Sequence, residues 1–245
     1  MSRCIAVVHE ADADFRTATE LADRILLEAI DWLEDDQLIH HREWFANAVG
    51  GERLTWKGVK QLATDLGIRA HGHFDGEPGE ADAAAGRRAI LYLREAFPEL
   101  AGVVLIRDQD DQPERRKGLE QARGQEKSGI PVVVGLAVVE RESWAISGFD
   151  PQDDDEKARL SAVRQTLPFD PCLQSHQLTA CKNDLAPRSP KRVLRLLTEG
   201  NYHRESRCWS ETSLQTLRDR GAHNGLAMYL DEVRTRLAVL IGHVS

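Results

Sequence analysis

The sequence predicts an α/β fold, a parallel β-sheet flanked by helices. Three observations carry that expectation. The runs Cys4–Val8, Gly102–Arg107 and Ile130–Val139 are apolar, rich in β-branched residues and free of polar alternation, as strands buried on both faces are. Segments with apolar residues at helical spacing lie between them. Each run also stops at carboxylates: Glu10 after the first, Asp108 and Asp110 after the second, Glu140 and Glu142 after the third.

The elements follow in order. Cys4–Val8 is the first strand. From Asp12 to Glu34, Phe15, Ala18, Ala22, Ile25, Ala29 and Trp32 or Leu33 recur at helical spacing, and Asp12 or Asp14 is placed to cap the start. Gln37–Gly79 breaks the alternation with Gly50-Gly51, the Gly76–Gly79 turn and several histidines. It reads as an insertion at about 37–80 with one short helix near Trp56–Leu66. His71-Gly72-His73 reads as an exposed loop or as a metal or substrate contact. Ala81–Phe97 is a second amphipathic helix, with Pro98 just beyond it. Pro113–Glu126 is a third, with Arg115-Arg116-Lys117 on a solvated face.

Beyond Phe149 the pattern changes. Asp150–Glu156 reads as a solvated acidic helix start, Ala158–Leu167 as helix, and Pro168–Pro190 as mostly loop. Lys191–Leu197 and Ala222–Leu240 are helices. Residues 1–150 therefore form the α/β core with its insertion, and 151–245 a helical C-terminal extension packed on it.

A chain of 245 residues with 41% hydrophobic content can bury a sizeable core. No apolar run approaches the ~20 residues of a membrane span, and Cys4–Val8 is too short for a secretory leader. The expected setting is cytoplasmic, without membrane contact. A net charge of −8 argues against a general polyanion-coating protein. Nucleic-acid contact would need a local basic patch or a metal. The cysteines form no CxxC pair, and Cys172, His176 and Cys181 fit no standard zinc spacing, so they read as reduced thiols. The P-loop, dinucleotide and hydrolase-elbow motifs are absent.

In a parallel sheet the carboxyl ends of the strands share one edge, where ligands bind. Carboxylates gathered there raise one another's pKa unless a cation neutralises them. With oxygen donors and no soft ligand, Mg²⁺ or Mn²⁺ is the natural occupant. The other reading is a solvated acidic rim without an ion.

The order strand-Glu-helix, then strand-Asp-x-Asp, resembles the Toprim domain of topoisomerases, primases and nucleases of the overcoming-lysogenization-defect class. A family of small bacterial Toprim-like proteins is more similar still, through VVHE (Glu10), VLIRDQD (Asp108, Asp110), VVERESWAI (Glu142, Trp144) and the helical tail PKRVLRLL…GLAMYLDEV. One residue departs from the pattern. Toprim domains usually carry Gly after the first Glu, and this chain has Ala11, which suits only a turn without a positive φ. Asp12 and Asp14 are the neighbouring acids that could share the role of Glu10.

The resemblance implies a Toprim-like parallel sheet and a Mg-dependent nuclease acting on phosphodiester bonds of DNA or RNA. Asp108 and Asp110 would hold the metal and Glu142 would be a further ligand. Glu10 would be general acid/base or a ligand of a second ion. Arg107, Arg141, Lys182, Arg188, Lys191 and Arg192 are the candidates for phosphate contact, although Lys191, Arg192 and Arg195 also fit an ordinary amphipathic helix. Trp144 packs in the core or stacks on a base. Proteins of this resemblance accompany an ATPase partner in anti-phage defence, so an effector nuclease is the first functional expectation. The alternative is a non-catalytic Toprim-like binding or regulatory subunit that recognises a partner protein or nucleic acid. A phosphohydrolase of small nucleotides is a third.

Overall fold

The opening apolar run forms strand β1 (Arg3–Val8), with Ile5, Ala6, Val7 and Val8 fully buried. The structure, a computed structural model, describes residues 2–180 and 183–242. Helix α1 (Asp12–Ala29) follows. Its start is set by Asp14, whose carboxylate accepts the backbone N–H of Glu10 at 3.2 Å and of Ala11 at 2.8 Å. Ala11 lies at φ −140°, extended backbone that any residue adopts, so alanine stands here without strain.

The 37–80 segment holds more regular structure than one short helix. α2 (Asp35–His41) leads into β2 (Arg42–Phe45), which pairs in parallel with β1 at the sheet edge. Asp23 of α1 pins β2. It accepts two bonds from Arg42, each 2.6 Å, and one from Trp44 Nε1 at 2.8 Å. α3 (Trp56–Asp65) is capped by the Thr55 hydroxyl, and the hairpin of β3 (His73–Phe74) and β4 (Glu77–Pro78) comes next, with His73 exposed.

α4 (Ala83–Ala96), β5 (Leu100–Asp108), α5 (Arg115–Gly124) and β6 (Val132–Ala137) complete the α/β layer. The sheet is four-stranded and parallel, in the order β2-β1-β5-β6, with Val8 opposite Leu105. Gly86 lets α4 and α5 approach closely, because a Cβ there would lie 3.0 Å from Ala122 Cβ. The basic run on α5 is not simply a solvated face. Arg115 is buried and meets Asp82 at 3.1 Å, which gives the buried guanidinium its counter-charge.

The remaining elements are helical: α6 (Glu142–Ser147), α7 (Asp154–Thr166), a 3₁₀ turn at Ser175–Gln177, α8 (Pro190–Thr198), α9 (Tyr202–Ser210), α10 (Leu214–Arg220), α11 (Leu226–Glu232) and α12 (Val239–Ile241). The helix expected over Ala222–Leu240 starts later, at Leu226, and widens into a π-helical turn at Val233–Ala238. The acidic start of α7 is partly internal. Asp153 caps it through the Glu156 N–H, and buried Glu156 takes Arg204 at 2.5 and 2.8 Å. Among the described residues, no helix is long and apolar enough to cross a membrane.

The chain divides into two compact units. Unit 1 holds the residues up to Arg107, Gln112–Leu136 and the segment from Asp231; unit 2 holds Asp108–Asp111 and Ala137–Leu230. The core of unit 1 includes Val8, Leu54, Val59, Ile90, Leu93, Leu105, Leu119 and Val134. In unit 2, Trp144 is buried and stacks on Tyr229 with centroids 5.1 Å apart, so it is a core residue.

Asn224, fully buried, ties unit 2 together. Its carbonyl accepts Val138 N–H at 2.8 Å and Trp144 Nε1–H at 2.9 Å. Its amide donates to Ser143 O, Ser147 Oγ and Ser175 Oγ, and its Oδ1 accepts Leu226 N–H at 3.0 Å. Asn224→Ala strands several of these buried groups, each costing ~1–3 kcal/mol. The substitution is expected to lower stability by ~3 kcal/mol or more, read as a lower urea midpoint. An unchanged midpoint would remove Asn224 from this role.

Candidate acidic site at the strand ends

In unit 2, the loop Asp108–Asp111 and the chain leaving β6 are joined by backbone. Gln109 N–H donates to Ala137 O at 2.8 Å, and Asp110 N–H to Val139 O at 3.1 Å. Asp108 Oδ1 accepts the Arg141 N–H at 2.8 Å. Both strands of this junction turn through left-handed backbone, Asp110 at φ +48° and Val139 at φ +75°. An aspartate tolerates that region. A β-branched valine does so only where its surroundings enforce it, and such strain gathers at functional sites.

The junction gathers acidic side chains. Burial holds the Glu140 carboxyl above the usual range, and the neighbouring charges of Glu142 and Asp110 push the same way. Lys191 of α8 opposes them, with Nζ 3.4 Å from Glu140 Oε1. Burial lowers the Lys191 pKa, but Glu140, Glu142 and Asp184 outweigh it and hold it high. The Arg141 guanidinium is buried between carboxylates, 2.8 Å from Glu205 and 3.3 Å from Glu142.

In unit 1, Glu10 belongs to a cluster of carboxylates and guanidiniums. Its Oε1 lies 2.9 Å from Arg107 Nη1, and Arg107 Nε donates to Asp82 at 3.0 Å. Asp82, at φ +66°, also meets Arg115. Arg107 sits 5.3 Å over the Trp56 ring, whose Nε1 donates to Ile106 O at 2.7 Å.

The other sequence candidates are scattered. Arg188 lies over the Phe169 ring at 5.8 Å, and Arg192 donates to Leu185 O at 2.9 Å. Val193, Leu194 and Leu197 form the buried face of α8, as an amphipathic helix requires. Lys182 and Cys181 lie outside the described residues. Burial pushes the Cys172 and Cys208 thiols up to about 12, so both are inert protonated thiols at neutral pH. Among the described residues, no three His, Cys, Asp or Glu side chains are grouped so as to hold a metal ion.

Two residues gain importance from the structure. Glu140 is a buried carboxyl held above its usual range, and its position as the first residue past the apolar run was the available signal. His9 is fully buried, which holds its imidazole below the usual range. Its Nδ1 donates to Ala11 O at 2.9 Å, and its Nε2 has no hydrogen-bond partner among the described residues. Its place on an apolar strand end gave no such signal.

A scan of protein-family models finds no match to this chain, and searches of curated proteins and of solved structures find none either.

The Glu140 environment has a consequence for stability. Between the ordinary glutamate pKa and the raised folded one, the unfolded chain has lost this proton and the folded chain keeps it. Stability therefore falls as pH rises through that window. In Glu140→Gln that fall is expected to disappear, giving a flatter stability curve from acid to neutral pH in urea titrations. A mutant curve parallel to wild type would refute the raised pKa of Glu140.

Proposed function

We propose that the chain is a divalent-cation-dependent, Toprim-type nuclease that hydrolyses phosphodiester bonds of DNA or RNA, with the acidic junction of unit 2 as its metal-holding part. The observation that carries this reading is Glu140, a carboxyl past a strand end whose charged form is disfavoured first by burial and then by Glu142 and Asp110. Lys191 offsets this only in part, and a further cation would relieve the rest. The donors are all oxygen, which suits Mg²⁺ or Mn²⁺. Because no three ligating side chains are grouped among the described residues, the fit is to an ion held by one or two carboxylates and otherwise by water and substrate oxygens. Asp110 with Glu140 or Glu142 would hold it, and Asp108 would help fix the loop through Arg141 N–H.

Bound there, the ion would supply Lewis-acid stabilisation of phosphoryl oxygens and a more acidic water. The chain's own groups position the rest. Arg141 orients Glu142 through its guanidinium. The Lys191 ammonium, half-exposed, can pass from Glu140 to a substrate phosphate oxygen. The general acid/base role of Glu10 comes from the Toprim resemblance, as do the ATPase partner and the setting in anti-phage defence. A second reading, a non-catalytic Toprim-like subunit that binds a partner or nucleic acid, is favoured by the absence of a three-ligand group among the described residues.

The test is Mg²⁺- or Mn²⁺-dependent cleavage of plasmid DNA and of tRNA, with Mn²⁺ binding followed separately by electron paramagnetic resonance. Asp110→Asn and Glu140→Gln are each expected to cut cleavage by ~100-fold or more, since losing a mere partner of a metal ligand costs 10–100-fold. Both should weaken Mn²⁺ binding, and Glu10→Gln should lower cleavage while leaving Mn²⁺ binding intact. Undiminished cleavage in Asp110→Asn and Glu140→Gln would sink the site. A wild-type chain that binds nucleic acid but neither binds Mn²⁺ nor cleaves would favour the binding subunit.

A further inference from the structure

We infer that unit 1 carries a phosphate-binding subsite between α3 and α4, suited to a nucleotide phosphate or to the backbone of a polynucleotide. A cavity of about 410 Å³ there is lined by Lys60, Thr64, Gly67, Ile68, Arg69, Ala70 and Arg88. That volume is in the range of small-ligand pockets. Three of the lining residues are cations and none is acidic.

The state of these cations sets the cavity apart. Most arginines of unit 1 near other helices are already matched: Arg87 and Arg94 of α4 both face Glu126, and Arg107 and Arg115 both face Asp82. Arg88 lies on the same helix as Arg87 and Arg94 yet has no ion pair or side-chain hydrogen bond among the described residues. The same holds for Lys60 and Arg69. In a chain of net charge −8, three unmatched cations around one cavity, Lys60 and Arg69 exposed and Arg88 partly buried, make a local excess of positive charge that attracts an anion.

The negative end of α3 does not cancel this. Carbonyls of its last turn are already taken, Thr64 O by Gly67 N–H at 2.9 Å and Ala63 O by Ile68 N–H at 2.8 Å. The Thr64 hydroxyl donates back to Lys60 O at 2.8 Å, so the cations are the polar recognition groups. Two guanidinium forks and an ammonium suit a phosphate, with its negative charge and several acceptor oxygens, better than a single carboxylate. The subsite lies wholly in unit 1 and stands without the acidic junction of unit 2.

Binding is measured in EDTA, so that no metal chemistry enters. The probes are a fluorescent nucleoside monophosphate and a fluorescent single-stranded oligonucleotide, titrated over a range of KCl. The triple variant Lys60→Gln/Arg69→Gln/Arg88→Gln is expected to bind at least 10-fold more weakly. Where the oligonucleotide is the ligand, the salt slope should flatten by ~0.7 for each phosphate that the variant no longer neutralises. Lys57→Gln/Lys127→Gln, exposed positions outside the cavity, should bind as wild type. Weaker mononucleotide binding in the triple variant marks a free-nucleotide site, and weakening confined to the oligonucleotide marks a backbone site. Wild-type protein that binds neither probe, a triple variant that binds like wild type, or an equal weakening in the control pair would each overturn the inference.

Discussion

The carbonyl of Asn224 is the constraint on which the acidic junction depends. It takes the N–H of Val138 as the chain leaves β6 and the indole N–H of Trp144 on α6. With both ends held, the link between them is short, and Val139 is driven to φ +75°. That conformation costs a β-branched residue ~1–3 kcal/mol. The cost is offset by ordered pairing, since Val139 O and Ala137 O accept the N–H groups of Asp110 and Gln109. Asp108–Asp111 is thereby laid along the β6 exit, and the positions of Asp110, Glu140 and Glu142 follow from backbone bonds rather than from attraction between side chains.

Such scaffolding is needed because the side chains oppose it. Glu140 is buried beside like charges, and the nearby cations are shared: Arg141 serves Glu142 and Glu205, and Lys191 serves Glu140. Unit 1 treats its own clustered acids differently. There Glu10 and Asp82 are met by Arg107 and Arg115, so carboxylates and guanidiniums are balanced. Surplus negative charge at a strand end is thus a property of unit 2. Surplus positive charge in a cavity is a property of unit 1, at Lys60, Arg69 and Arg88. Formal net charge, which sums over both, conceals each of them.

The parallel sheet was legible because three of its four strands, β1, β5 and β6, are continuous apolar runs, a pattern that depends only on burial from both faces. β2 was not. Its four residues, REWF, are half polar, and they form a strand because Asp23 of α1 binds Arg42 and Trp44 from a distance in sequence. The burial of Arg115 and Glu156 was hidden for the same reason, since each depends on a partner, Asp82 or Arg204, that no local pattern announces. Asp108, Asp110 and Glu142 could be picked as candidates from the places where apolar runs stop. The raised pKa of Glu140 was less legible, because it reflects depth of burial together with the charges of Glu142 and Asp110, which Lys191 on α8 offsets only in part.

Ala11 shows how local chemistry can stand in for a glycine. A glycine after the first glutamate would matter if the turn required a positive φ, but the backbone here is extended and its N–H is anchored on the Asp14 carboxylate. The same carboxylate holds the N–H of Glu10, so Asp14 fixes where β1 ends and α1 begins. Asp14 is therefore committed to the backbone, and Asp12 is committed to an ion pair with Arg53. Neither is arranged to take over from Glu10. Glu10, by contrast, has its carboxylate joined to the end of β5 through Arg107, and the chemistry proposed for this turn is placed on that side chain.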